Sequence, residues 1–215
     1  MPDTQVPDMV VARLPLYLRT LRYLESAGIE VTSSQDLAAR LGVSSAQIRK
    51  DLSYFGRFGK QGTGYETANL RSQLEKILGL DRRWPMILVG AGALGQAVMH
   101  YAGFYERGFY IAHVFDSDLA KLGHDLAGFV VRPPEEIPAC VRENDIRIAI
   151  VAVPSEAAQA VTDELVDAGI EAILNYAPMS LTVPRRVQVQ QIDPVVHLQH
   201  MVYYLTGATR SSPPA

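Results

Sequence analysis

Residues 86–95 read Met-Ile-Leu-Val-Gly-Ala-Gly-Ala-Leu-Gly. The apolar run MILVG (86–90) has the length and composition of a strand buried on both faces. Gly90, Ala91, Gly92, Ala93, Leu94 and Gly95 then spell Gly-x-Gly-x-x-Gly, and AVMHYAGFYE (97–106) carries a helical pattern. In a strand–turn–helix setting the first glycine permits the turn and the second lets a pyrophosphate approach bare backbone. The third lets helix and strand pack closely. The N-terminus of the helix offers free N–H groups and the positive end of its dipole to phosphates. The stretch predicts a dinucleotide-binding turn.

Toward the C-terminus, IAHVFD (111–116) predicts a second strand that ends on Asp116, 21 residues beyond Gly95. A carboxylate there accepts hydrogen bonds from the adenosine ribose hydroxyls and repels a 2′-phosphate. Neither Ser117 nor Asp118 supplies a compensating arginine, so NADH and NAD+ are expected rather than the phosphorylated dinucleotides. PPEEIPACVREN (133–144) predicts a helix, RIAIVAV (147–153) a strand, and SEAAQAVTDELVDAG (155–169) a helix. EAILNYA (171–177) and RRVQVQQID (185–193) predict two more strands. This alternation predicts an α/β fold, a Rossmann-like doubly wound parallel sheet over residues 84–192. The nicotinamide half of the cofactor belongs at the carboxyl edge of such a sheet, which makes Val153, Pro154 and Asn175 candidates to face it. PVVHLQHMVYYLT (194–206) puts Val195, Leu198, Val202 and Leu205 on one helical stripe with no place in the sheet. Residues 193–206 are therefore expected to form a dimerisation helix, and 207–215 a tail.

Working toward the N-terminus, residues 1–80 carry a different pattern. A helix over 7–27 is expected from Val10, Leu14, Tyr17, Leu18, Leu21 and Leu24, with Gly28 as its stop. Thr32 to Ser34 can cap a short helix through Leu41. Gly42 and Val43 make a turn, and Ser44 or Ser45 can cap a second helix, AQIRKDLSYF (46–55), that ends at Gly56. This is the spacing of a helix-turn-helix. At 100° per residue Ile48, Leu52 and Phe55 face inward, while Ala46, Gln47, Arg49, Lys50, Ser53 and Tyr54 face out with the donors that read bases or grip phosphates. Ser45 joins that face at the start of the helix. Asp51 falls on the flank, where local pairing with an arginine is expected. RFGKQGTGY (57–65), with Gly59, Gly62 and Gly64, predicts a hairpin with Arg57 and Lys60 at its tip, a basic wing beside the helix. TANLRSQLEKIL (67–78) closes the unit as a helix. A three-helix protein-interaction module is the competing reading; the basic helix face and basic wing favour double-stranded DNA.

The charge distribution agrees. The 215 residues carry a net −3, but residues 1–83 hold 12 Lys and Arg against 9 Asp and Glu, whereas the remainder holds 8 against 14. Such a basic patch is the footprint of a phosphate-bearing partner. With 48% hydrophobic residues the chain can bury a core. It shows neither a membrane-spanning run nor a signal-peptide pattern, and a cytoplasmic location is expected. Its single cysteine, Cys140, excludes an internal disulfide or a multi-thiolate metal site. A small NAD-dependent oxidoreductase is the main rival. None of the ten tyrosines has a lysine four residues on, however, and about 110 residues of nucleotide-binding domain leave no separate substrate domain. No catalysis is expected. A CoA-binding module would place a 3′-phosphate near Asp116, and His197 and His200 on the terminal helix are expected to be surface residues rather than metal ligands.

The segment LAARLGVSSAQIRKDLSYFGRFGKQGTGY, followed by ILGL and GAGALG, resembles the redox-sensing transcriptional repressor family Rex from about residue 7 to residue 206. The resemblance implies a homodimer whose C-terminal helices are swapped. It implies binding to palindromic operator DNA when NADH is scarce, and release when NADH accumulates. It places Gln47, Arg49, Lys50 and Ser53 on the operator face with Lys60 in the wing, and Gly90 to Gly95 and Asp116 on the adenosine diphosphate half. It also implies that Tyr101 lies near the nicotinamide, and that Arg19 and Asp193 exchange partners with it as the dimer closes. A physical route is available: oxidised nicotinamide is cationic and reduced nicotinamide neutral, so an apolar pocket closing over the ring penalises NAD+ and admits NADH. A closed dimer would no longer present its recognition helices about 34 Å apart.

Overall fold

The structure, a computed structural model, describes residues 6–59 and 64–205. The chain divides into two compact units at Arg82–Arg83.

The first unit begins with α1 (Asp8–Val11) and α2 (Leu14–Ser26). The single helix expected over 7–27 is thus two, and Pro15 explains the break. Its ring would clash with the carbonyl of Val11 in a continuous helix, but it is harmless in the first turn of α2. β1 (Val31–Thr32) leads to α3 (Ser34–Leu41), which Ser33 and Asp36 open with a reciprocal capping box and Gly42 closes at φ +68°. α4 (Ser45–Ser53) is capped by Ser44, whose hydroxyl accepts the Gln47 backbone N–H at 3.1 Å. β2 (Tyr65–Glu66) and α5 (Thr67–Ile77) complete the unit. Leu14, Leu18, Leu21 and Leu24 of α2 pack with Leu37 of α3, Ile48 and Leu52 of α4, and Leu70 and Leu74 of α5 around one apolar core.

β2 pairs antiparallel with β1, Thr32 opposite Tyr65, which braces the end of the expected wing against the strand before α3. Gly64 permits this approach: it sits at φ +82°, and a Cβ there would lie 2.5 Å from the Thr32 carbonyl oxygen. Lys60 and Gly62 lie outside the described residues. One expectation is corrected here: Asp51, expected on the flank of the helix with a local arginine partner, is fully buried, and its arginine partner is not local. Arg13, between α1 and α2, donates Nε and Nη2 to the carboxylate at 2.6 and 2.8 Å, and the Tyr17 hydroxyl donates at 2.6 Å. Burial works to raise the Asp51 carboxyl, but the bonds from Arg13, Tyr17 and Gln47 outweigh it and hold the group below its ordinary range. Burial and the adjacent carboxylate push the Tyr17 hydroxyl up to about 12.

In the second unit the sheet strands are β3 (Trp84–Val89), β4 (Phe109–Phe115), β5 (Asp125–Leu126), β6 (Phe129–Arg132), β7 (Ile148–Val151), β8 (Ala172–Asn175) and β9 (Gln188–Gln191). The helices are α6 (Ala93–Met99), α7 (Ile137–Glu143), α8 (Ser155–Ala168) and α9 (Pro194–Leu205). Strand order is β5-β6-β4-β3-β7-β8-β9, all parallel except β5, which runs antiparallel to β6. Period-two alternation splits β3 between two cores. Ile87 and Val89 pack with Val141 of α7 and Leu165 of α8, and Met86 and Leu88 with Val98 of α6.

The fold class is as expected, with local differences. α6 stops at Met99 instead of continuing to 106, and the chain turns through a 3-10 segment at Tyr105–Arg107. The helix expected over 133–144 begins only at Ile137, after a 3-10 turn at Pro134–Glu136. The β5–β6 hairpin is an addition, and its edge strand departs from a purely parallel sheet. None of the described side chains of α9 is buried.

Replacing Arg13 by Ala leaves the Asp51 charge buried without its cation. It is expected to destabilise the N-terminal unit by about 3–5 kcal/mol in urea unfolding followed by circular dichroism. Because folding lowers the Asp51 carboxyl, the wild-type contribution is complete above the ordinary value of 3.8 and is lost as pH falls through the lower folded value. An Arg13→Ala midpoint equal to wild type would show that this pair does not hold the unit together.

Candidate nucleotide cleft and DNA-facing helix

The strand order reverses at β3, whose neighbours are β4 and β7, so a crevice opens beyond its carboxyl end. A cleft of about 320 Å³ lies there. Gly90, Gly92, Asp116, Ser117 and Lys121 line one side, and Ala152, Val153, Pro154 and Ala157 the other. Five expected residues, Gly90, Gly92, Asp116, Val153 and Pro154, therefore meet at one place.

The three glycines differ in what surrounds them. Gly90 sits at φ +104° with the Ala152 carbonyl against the position a Cβ would take, so β3 can turn close beside β7. A Cβ on Gly95 would strike the Gly90 carbonyl, the close contact that seats α6 on β3. A Cβ on Gly92 would meet no protein atom within 4 Å. That bare backbone facing open space fits an approaching pyrophosphate. Ala91 is buried beneath the turn, while Ala93 and Leu94 form the first turn of α6 with Leu94 partly exposed.

Asp116 follows β4 directly, and its carboxylate is held from three directions. It accepts the Ala91 N–H at 2.7 Å, the Asp118 N–H at 2.8 Å and the Lys121 ammonium at 2.9 Å. Burial acts to raise the carboxyl, but these donors overcome it and keep the group ionised below its ordinary range. A fixed negative charge at the rim of the cleft accepts hydroxyls and repels a phosphate monoester. Lys121 was not anticipated from the sequence. It lies five residues past Asp116 and also reaches Asp118 at 3.5 Å; an ammonium beside two carboxylates was the available signal.

Asn175 and Tyr101 do not line this cleft. Asn175 is fully buried, and its amide is used internally. It donates to the Met179 carbonyl at 3.0 Å and the Gln191 side chain at 2.7 Å, and accepts the Ala177 N–H at 2.9 Å. Asn175 thus braces the turn after β8 instead of facing the cleft. Tyr101 is exposed beyond the end of α6, edge-to-face with Phe104, at a separate aromatic pocket that also includes Met99 and Tyr110. Asp193 accepts the Val195 N–H at 2.9 Å at the start of α9, and Arg19 is exposed on α2.

On α4, Ile48 and Leu52 are buried in the core while Arg49, Lys50 and Ser53 are exposed, as is Arg57 beyond the helix. Ser45, Gln47 and Tyr54 are half-buried. Arg49 donates to the Ser34 hydroxyl at 3.0 Å, tying α4 to the start of α3. Gln47 gives its side-chain amide to Asp51 at 2.7 Å. Among the described residues no group of His, Cys, Asp and Glu is arranged to hold a metal.

Gly92→Ala is expected to leave the unfolding midpoint unchanged within about 0.5 kcal/mol, since its Cβ has room, and to weaken NADH binding roughly tenfold or more by filling the pyrophosphate approach. Gly95→Ala is expected to cost about 1–3 kcal/mol of stability through overpacking. Thermal unfolding and NADH fluorescence titration separate the two. Wild-type NADH affinity in Gly92→Ala would contradict the assignment of the turn.

Comparison with known proteins places these features together. Residues 5–53 match the family described as putative DNA-binding protein N-terminus, and residues 81–179 match the CoA binding domain family. The redox-sensing transcriptional repressor Rex of Roseiflexus sp. (strain RS-1) is 54% identical over 206 residues, covering 96% of this chain and 94% of the relative. Rex of Chloroflexus aggregans is 52% identical over 201 residues, 94% of this chain and 95% of the relative. Among solved structures, RSP in complex with β-NAD+ and operator DNA is similar at a TM-score of 0.90 and 37% identity, covering 96% of this chain and 95% of that one. RSP in complex with β-NADH gives 0.85 and 35%, over 96% and 97%. The chain belongs to the Rex family of redox-sensing transcriptional repressors.

Proposed function

We infer that this chain is a transcriptional repressor that responds to the NADH/NAD+ balance, binding operator DNA when NADH is scarce and leaving it when NADH accumulates. The observation that carries this is the near-full-length likeness to a Rex-family repressor solved with both NAD+ and operator DNA. It is a regulator and not an enzyme, as its relatives are. No helix among the described residues is long and apolar enough to cross a membrane. The cytoplasm, where DNA and the nicotinamide pool meet, is the location this function requires.

The residue roles follow from chemistry. Gly90 to Gly95 cradle the pyrophosphate, and the Asp116 carboxylate takes the adenosine ribose hydroxyls. Val153 and Pro154 supply the apolar wall toward the nicotinamide. Burying a cationic ring against such a wall costs desolvation that a neutral ring avoids, so NADH is favoured over NAD+ wherever the pocket closes. Arg49, Lys50 and Arg57, with Lys60 in the wing, contact phosphates. Ser45, Gln47, Ser53 and Tyr54 lie within reach of bases and sugars. The exposed apolar side chains of α9, among them Val195, Leu198 and Val202, are to be covered by a second copy in a homodimer, through exchange of that helix. Tyr101, Arg19 and Asp193 form the polar switch that reports closure.

Titrating NADH into the purified dimer on a palindromic operator, read by fluorescence anisotropy, is expected to weaken DNA binding roughly 100-fold, about 2.7 kcal/mol of coupling. Unchanged operator affinity with NADH demonstrably bound would overturn the reading.

A further inference from the structure

Asp116 has less to offer a ligand than its place at the rim of the cleft implies. A carboxylate provides about four lone-pair sites, shared equally by its oxygens. Oδ2 already accepts the Ala91 N–H at 2.7 Å and the Lys121 ammonium at 2.9 Å, and Oδ1 accepts the Asp118 N–H at 2.8 Å. Among the described residues one site remains, on Oδ1. Of the two vicinal hydroxyls of the adenosine ribose, Asp116 as held can therefore take one. Lys121 has the complementary surplus. An ammonium carries three donors and no acceptor. One N–H goes to Asp116, and the Asp118 carboxylate, 3.5 Å away, draws a second. The third has no acceptor among the described residues, and Lys121 lines the same cleft as Gly90, Gly92 and Asp116. The ion pair with Asp116 anchors this donor in place before any ligand arrives.

We propose that Lys121 is a second ribose-binding residue: one hydroxyl donates to Asp116 Oδ1, and the oxygen of the neighbouring hydroxyl accepts the free N–H of Lys121. The Asp116–Lys121 pair then recognises the diol with its ion pair intact, one member accepting and the other donating. Asp116 alone does not suffice for both hydroxyls, because the Ala91 N–H of the glycine turn and Lys121 itself occupy Oδ2. The proposal rests on reading the cleft as the NADH site.

The test compares NADH with its analogues lacking the 2′- or the 3′-hydroxyl of the adenosine ribose. Each is titrated by fluorescence into the full-length wild type and into Lys121→Met, which keeps an aliphatic stem and removes the charge. In the wild type each missing hydroxyl is expected to weaken binding about tenfold, since each has a charged partner of its own. Lys121→Met is expected to weaken NADH about tenfold and to abolish the penalty for one analogue while keeping it for the other, the non-additivity of groups in contact. If Lys121 is only the counter-ion of Asp116, its removal frees a lone pair on Oδ2 for the second hydroxyl, and Lys121→Met binds NADH as tightly as the wild type or more so. That result overturns the proposal, as does a folded variant that penalises both analogues as the wild type does. A crystal structure of the wild type with NADH needs no variant. Lys121 Nζ is expected within about 3.2 Å of one ribose hydroxyl oxygen; both hydroxyls on Asp116, with Nζ out of reach, would contradict the assignment. In each of these cases NADH binding by the wild type leaves the repressor reading intact; failure of the wild type to bind NADH would sink that reading as well.

Discussion

A carboxylate withdrawn from water must be given donors, and each unit of this chain is organised around one. In the N-terminal unit Asp51 gathers Arg13, Tyr17 and Gln47 from two helices and the turn before them. In the nucleotide unit Asp116 gathers the Ala91 N–H of the glycine turn and the Lys121 ammonium. Left unpaired, either group would cost more than most single contacts in the fold contribute. Paired, each fixes an element of a candidate site: α4 in one case, the rim of the cleft in the other.

The sheet adds a second constraint, which is topological. Because the chain leaves β3 toward β4 and later returns on the other side to β7, a cleft opens at the carboxyl end of β3. The turn at Gly90 needs a positive φ and the Ala152 backbone close by, and Gly95 needs its helix seated directly on that turn. Gly92 alone is spared such neighbours. Of the three glycines, one therefore meets a requirement of backbone conformation, one a requirement of packing, and one faces open space. Val153 and Pro154 give the cleft an apolar wall.

Much of this was legible in the sequence because it is local. The glycine spacing, the strand before it, Asp116 at the end of the next strand and the two capping serines each declare themselves within a few residues. What escaped was long-range or lacked a signature. Arg13 and Asp51 are 38 residues apart, and a helical wheel gives the angle of Asp51 but not what waits beside it. The β5–β6 hairpin turns on Ala127 and Gly128, both at positive φ, and alanine gives no hint of that conformation. Asn175 stands at the carboxyl edge of the sheet, where its amide is shared between the turn that follows it and Gln191 of β9. The apolar neighbours of Tyr101 predict a longer helix, whereas α6 ends at Met99.

The two units matter to each other only if binding at one alters affinity at the other, and thermodynamic linkage makes that relation reciprocal. The direct measurement is the NADH dissociation constant of the dimer, free and saturated with operator DNA, by quenching or enhancement of NADH fluorescence. Operator DNA is expected to weaken NADH binding by the same factor as NADH weakens operator binding. Equal NADH affinity in the free and DNA-bound protein would contradict it.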